Sequence, residues 1–468
     1  MGPDNGGGTR RERGTMKALA AIGLGTLAYA LAQTTILPAL PALAAALHSD
    51  AQSVTWALTA YLIASAVLTP VLGRLGDLYG RRRLLVVALV VFAVGSLVSA
   101  LSTNLALVVA GRVLQGAGGG VIPLGVGIAR VAFPPERRAW AIGIISAVFG
   151  VGSGLGLVVG GLIVDHTSYR WIFWITAAMA ALSAVAVGLV LPEPGKANGG
   201  RIDVVGALLL GVGVTLPLLA ISRASHWGWT SGRTLGLIIG GLLVLVVFVL
   251  FERRSAEPLI HLGLLTRPPV LITNIATFLV GCGMFGVFVL VPQFAEAPGS
   301  TGYGFGVDAT RAGLLLAPGS LVMMAGGPLA AFLYRRVGGR TTLAAAAGVT
   351  ALGTALLAAA SGSQLSVLAW SFVALIGVGL ALAVIPTIIV DAEPAARAAE
   401  AAGVNALVRS VGSSVGTQVI AGILAAGVTA ATVLPDDHSF VVAYVFCVAA
   451  TVVAMVAAAL IPRARAQH

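Results

Sequence analysis

The feature that decides what this chain can fold into is a run of some twenty apolar residues that stops at a short, arginine-bearing joint and begins again, over nearly the whole length. An α-helix needs roughly twenty such residues to cross the hydrocarbon of a bilayer. Within lipid every backbone N–H and C=O must be bonded inside the segment, so continuous apolar runs mean helices; a membrane barrel would alternate weakly over segments of about ten residues. A water-soluble domain is excluded, because 58% of the 468 residues are hydrophobic and only 10% are charged. Soluble domains are about a quarter charged. The fold class is all-α, a polytopic membrane protein.

Fourteen spans are predicted, at 17–43, 53–73, 83–101, 105–130, 138–164, 171–191, 203–222, 233–251, 268–293, 309–334, 341–360, 366–390, 401–430 and 440–462. The first run is too long for a signal-peptide core and reads as an uncleaved span. The polar, glycine-rich residues 1–16 read as a disordered cytosolic tail. An even number of spans puts both termini on one side. Of the 28 lysines and arginines, 22 fall in loops or tails assigned to the cytosol and 4 (Arg170, Arg223, Arg233 and Arg311) in loops assigned to the outside. That asymmetry is the orientation signal of an inner-membrane protein with both ends in the cytoplasm. It also explains the net charge of +11 without nucleic acid, since the cations sit in clusters between apolar runs. Two arginines, Arg112 and Arg409, fall inside spans.

The chain repeats itself. The stretch from Gly73 to Arg82 has a worn copy from Ala331 to Arg340, 258 residues on; Gln115-Gly116 answers to Ile376-Gly377 at 261, and Gly152…Gly156 to Gly412…Gly416 at 260. Six spans with their loops are shorter than this offset, and the two spans at 203–222 and 233–251 account for the excess. The organisation is six plus two plus six: a bundle at 17–191, a linker with two extra spans at 192–266, a second bundle at 267–462, and a cytosolic tail at 463–468. Parallel repeats of this kind place a substrate site near the midplane, between the halves.

Gly73-x-Leu75-Gly76-Asp77-x-x-Gly80-Arg81-Arg82-x-x-Leu85 resembles the loop signature between the second and third spans of the major facilitator superfamily. Arg112-Val-Leu-Gln115-Gly116 is similar to that family's fourth-span motif, and Gly152-x-x-x-Gly156-Leu157-x-x-Gly160-Gly161 to the fifth-span motif of its drug/proton antiporters. Tyr169-Arg170-Trp171, Arg201-Ile-Asp203 and Glu252-Arg-Arg resemble its fourteen-helix branch. The resemblance implies a multidrug exporter working by alternating access, driven by a proton gradient, with Asp77 helping to latch the halves on the cytosolic side. Two positions depart from the branch pattern. Its first-span acid is replaced in Ala32-Gln33-Thr34, and its fifth-span proline by Leu157; both bear on proton coupling.

Each motif also has a physical reading. Asp77 can cap a neighbouring helix N-terminus, Gly73 and Gly80 allow close approach and a tight turn, and Arg81 and Arg82 can pair with acids or phospholipid. An arginine at mid-span costs roughly 2.5–3.5 kcal/mol on the insertion scale, so Arg112 should face protein or a water-filled cavity, in a coupling or anion-contacting role with Gln115. Gly152, Gly156 and Gly160 line one helix face and Gly161 widens it, a smooth contact for helices that slide. Gln33, Thr34, Trp56, Tyr61, Gln293, Asn405 and Arg409 suit a mostly apolar cavity with a few oriented polar contacts. None of the 17 acids falls at a predicted midplane, so neutral or anionic amphipathic substrates are expected rather than cations. Asp77, Asp165 and Glu296 are the acids near the faces that could titrate. No Gly-x-x-x-x-Gly-Lys loop suggests ATP, and no His or Cys spacing suggests a metal or catalytic centre. The expectation is a monomer, not an enzyme, with a small-molecule substrate and the bilayer as partners. The rival readings are an importer or uniporter without proton coupling, and a non-transporting membrane enzyme or sensor.

Overall fold

The computed structural model describes residues 6–191, 203–255, 263, 267–392, 398–428 and 434–462. The chain folds as α1 (Gly6–Thr34), α2 (Leu40–Ala46), α3 (Ala51–Val54), α4 (Trp56–Tyr79), α5 (Arg81–Leu101), α6 (Leu105–Gln115), α7 (Val121–Ala132), α8 (Pro135–His166), α9 (Arg170–Val190), α10 (Val204–Trp227) and α11 (Gly232–Glu252). It continues as α12 (Pro268–Glu296), α13 (Ala309–Ala359), α14 (Gln364–Asp391), α15 (Ala398–Ala426) and α16 (Asp437–Ala459). Among the described residues, 13 helical stretches are long and apolar enough to cross a membrane, and Ala309–Met323 is a shorter apolar one. The tails at 1–5 and 463–468, and most of 192–202 and 256–266, lie outside the described residues.

Loop acids set where several helices begin. Asp50, Asp203, Asp308 and Asp436 each accept a backbone N–H three residues on, at 2.7, 2.6, 2.7 and 2.9 Å. Each supplies a partner for a donor that the first helical turn leaves unpaired.

Two expected spans are not single α-helices. The run 17–43 breaks after Thr34 into turns at 35–39 before α2. Pro38 lacks an N–H and biases its predecessor away from helix, while Pro41 suits the first turn of the new one. The run 105–130 passes through a 3₁₀ segment at Gly116–Gly120. There a Cβ on Gly116 would stand 2.8 Å from the backbone of both Ala64 and Ser65, so α4 and the fourth span touch main chain to main chain.

The repeat is visible in backbone and packing. Gly80 joins α4 to α5 at φ 100°, ψ 123°. Gly338, 258 residues later, breaks the 51-residue α13 at φ 81°, ψ 162°. Both lie where a side chain is strained, so each copy turns between two spans on a glycine. Gly152 packs on Leu27 and Ala30 of α1, and its counterpart Gly412 on Phe278 of α12; Gly156 packs on Thr34–Thr35, and Gly416 on Cys282.

The helices expose apolar side chains, and a set of polar side chains is buried within an otherwise apolar interior. On α5, Val87, Val90, Val94, Leu97 and Leu101 are exposed, while Leu85, Ala88, Leu89 and Phe92 are buried. Arg112, Gln115, Asn405 and Gln418 are buried. The extra helices pair with each other, and Leu210, Val214, Leu218 and Phe248 cluster with Ile63 and Ala66 of α4 and Val404 and Leu407 of α15. They therefore lie along a seam between the two sets of six spans.

Candidate functional site

Arg112 is wholly buried in α6. Its Nε donates to the carbonyl of Ala57 at 2.6 Å, and its Nη1 to the carbonyl of Ala32 at 2.9 Å and to Oε1 of Gln115 at 2.8 Å. Its Cζ stands 4.1 Å from the centre of the Tyr61 ring, a cation–π contact. Ala32 is in the last turn of α1, where carbonyls lack helical partners. Gln115 passes the chain on, donating to Ser96 Oγ at 2.6 Å. Of the two environments expected for Arg112, the structure has protein: it ties α1, α4 and α6 together through oxygens that carry no formal charge. Its Nη2 is buried without a partner. The backbone of Ala32 thus takes a bond from the cation at the slot where an acid was expected by resemblance.

Tyr61, also wholly buried, donates to the carbonyl of Tyr29 at 2.9 Å, and the Tyr29 hydroxyl pairs with Ser65 Oγ at 2.8 Å. Tyr29 lies between Tyr61 (centroids 5.9 Å apart) and Phe149 (5.7 Å, planes 25° apart). From the second set of six spans, Arg409 of α15 comes within electrostatic reach of Tyr29. Tyr29, Phe149 and Arg409 are half-buried. Sequence reasoning singled out Tyr61 and Arg409 but missed Tyr29, Phe149 and Ser65. A tyrosine at the middle of the first span was the available signal; Phe149 looks like any apolar residue.

Among the other expected cavity residues, Thr34 and Asn405 are held by neighbouring helices. Thr34 is buried, donates to Ala30 O at 3.3 Å and packs on Gly156, a helix-packing role. Gln33 is buried and Gln293 half-buried near the far end of α12. Trp56 packs on the cluster around α10. Asn405 donates to Asn274 Oδ1 and Thr277 Oγ1, both at 2.8 Å, and so ties α15 to α12 within the second six spans.

At the joint between α4 and α5, Arg81 donates to the carbonyl of Gly127 at 2.9 Å and Arg82 to that of Gly188. Both acceptors are backbone carbonyls in the C-terminal halves of their helices. Gly73 is open on the side a Cβ would occupy. The Asp77 side chain lies outside the described residues.

The face that the arginine distribution assigns to the outside is sealed across both seams. Asp165, at the end of α8, accepts from Ala309 N at 3.1 Å and Thr310 N at 2.6 Å, capping the helix of the other half. A Cβ on Gly161 would lie 2.5 Å from Ala309 O, one on Gly313 2.8 Å from Leu157 O, and one on Gly154 3.1 Å from Ser320 Cβ. This corrects the single stripe. Gly152 and Gly156 face α1 and Gly160 the turn that follows it, while Gly161 belongs with Gly154 on another face, against α13. On the other seam Gln418 Nε2 donates to Thr59 Oγ1 at 2.7 Å. Glu296, at the end of α12, has a buried Oε1 without a partner.

The family model of the Major Facilitator Superfamily matches residues 22–417. The chain is 32% identical over 426 residues to the tetracenomycin C resistance and export protein of Streptomyces glaucescens, covering 89% of this chain and 77% of that protein. It is 30% identical over 425 residues to the multidrug resistance protein Stp of Mycobacterium tuberculosis, covering 90% and 78%. Among solved structures, the partially occluded inward-open xylose transporter XylE from E. coli superposes with a TM-score of 0.63 at 14% identity, over 94% of this chain and 96% of that one. This last likeness speaks for the fold alone.

Proposed function

The chain belongs to the Major Facilitator Superfamily, and from that premise we propose that it exports neutral or anionic amphipathic molecules by proton-coupled alternating access. Membership makes it a membrane transporter; direction, substrate charge and coupling are the proposal. The outward direction is supported by the relatives, one named for export and one for multidrug resistance. The moving parts are the bundles at 17–191 and 267–462, with 192–266 as linker, in a monomer of the inner membrane with both termini in the cytoplasm.

The observation that carries the substrate charge is the pair of mid-span arginines. Among the described residues Arg112 bonds to uncharged oxygens, and Arg409 lies within electrostatic reach of Tyr29. A charge within a membrane protein calls for compensation, and a cavity with this bias repels cations. For coupling, Asp165 and Glu296 stand at the outer seal. Asp165 holds the α13 N-terminus through two backbone N–H groups, a contact that parts when the outer side opens. Asp77 remains the proposed cytosolic latch. No ATP is required, and no nucleic acid takes part.

Purified protein in vesicles with an imposed pH gradient, offered anionic, neutral and cationic dyes, tests this reading. Gradient-dependent movement of the anionic and neutral dyes is expected. Movement of cationic dyes alone would overturn the charge assignment, and indifference to the gradient would remove proton coupling.

A further inference from the structure

We propose that Phe149, Tyr29 and Arg409 form the seat of a planar aromatic anion, which narrows the substrate class and rests on the export reading above. Three rings step across the middle of the first six spans: Tyr61, Tyr29 and Phe149. The series begins at Tyr61, which is wholly enclosed, and ends at Phe149, which is half-buried, so its accessible end is the Phe149 end. The Tyr29 and Phe149 planes differ by only 25°. A flat ring system can continue such a stack, while a flexible chain gains nothing from it.

Arg409 supplies the charge. It comes from the other six spans, is half-buried, and its guanidinium makes no hydrogen bond or ion pair among the described residues. An arginine at this depth calls for an anion, and its planar fork suits a carboxylate or phenolate at the edge of a stacked ring. Tyr29 connects the two requirements, since it stacks on Phe149 and feels Arg409. The Tyr29–Ser65 hydroxyl pair adds a polar contact at the same level. At the enclosed end, Arg112 over Tyr61 adds a second positive charge. Among the described residues nothing in the cluster is acidic, so the seat discriminates against planar cations.

The test is binding by purified protein in detergent, read by quenching of tryptophan fluorescence. The probes are anthraquinone-2-carboxylate, its carboxamide, decanoate and ethidium. Anthraquinone-2-carboxylate should bind at least about tenfold more tightly than the carboxamide, as a hydrogen bond to a charged group implies. Phe149→Leu should weaken it about fivefold, as loss of a stacked ring implies, with decanoate unchanged and Phe149→Trp retaining affinity. Arg409→Gln should erase the difference between carboxylate and carboxamide, and Arg409→Lys should restore part of it. Ethidium binding as tightly as the carboxylate, or unchanged affinities in monodisperse Phe149→Leu and Arg409→Gln proteins, would overturn the seat. If Phe149→Leu does not fold, Arg409→Gln decides alone. Vesicle assays separate the two readings. Binding as predicted without transport sinks export and leaves the seat, whereas transport of the carboxylate by variants with unchanged affinity sinks the seat and leaves export.

Discussion

Valine in place of Gly161 is expected to stop transport while leaving the protein folded. A Cβ there would meet Ala309 O at 2.5 Å and Ala309 C and Thr310 Cα at 2.7 Å. All three are backbone atoms of the opposite half, so no rotamer relieves the clash. The outer seal must part instead, taking with it the bonds from Ala309 N and Thr310 N to Asp165. Overpacking of this kind costs about 1–3 kcal/mol. Because it falls on the outer-closed state alone, it lowers the population of that state by roughly ten- to hundredfold. Transport rates in vesicles should fall by a similar factor, with normal expression and monodispersity. A cysteine at Leu157, which is buried in the seal, should react with an outside-applied impermeant maleimide in the Gly161→Val background and stay unreactive without it.

Arg112→Leu is expected to act on stability first. It removes three hydrogen bonds to carbonyl oxygens on α1, α4 and the Gln115 side chain, leaving those acceptors in a site that water does not reach. Bonds from a charged donor contribute about 1.5–3 kcal/mol each, less where a carbonyl keeps a helical partner. The expected loss is about 3 kcal/mol or more, read as a lower apparent Tm in detergent. Arg112→Lys should recover little of it, because a point charge cannot reach Ala32, Ala57 and Gln115 in one fork and also lie over Tyr61. A wild-type Tm for Arg112→Leu would mean that the three helices are held without it.

The parts of this architecture dictated by the bilayer are legible in the sequence. Apolar runs mark the spans because lipid admits no unpaired backbone, and Gly80 and Gly338 mark equivalent turns because few other residues take their conformation. What hides is anything decided by which side of a helix meets which neighbour. Gly161 reads as one more glycine of the Gly152–Gly160 stripe, yet it faces the other half. Asp308 and Asp436 read as loop acids and prove to be helix caps, and Asp165 caps a helix 144 residues away. Thr34 and Asn405 are as polar as any cavity residue, but small neighbours such as Gly156 and partners such as Asn274 absorb them into helix packing. Phe149 carries no signal at all until it is seen beside Tyr29. Pro38 breaks the first run, a break that the run's continuous apolarity conceals.

Two six-helix bundles that alternate about a mid-span site must open and close the seam between α8 and α13. Spin labels at Thr167→Cys and Arg311→Cys, both exposed beside Asp165, measure that seam directly. A single short distance is expected in the resting protein, and a second, longer population when transported substrate and a lowered pH are supplied together. One unchanging distance under all conditions, in protein that transports in vesicles, would contradict it.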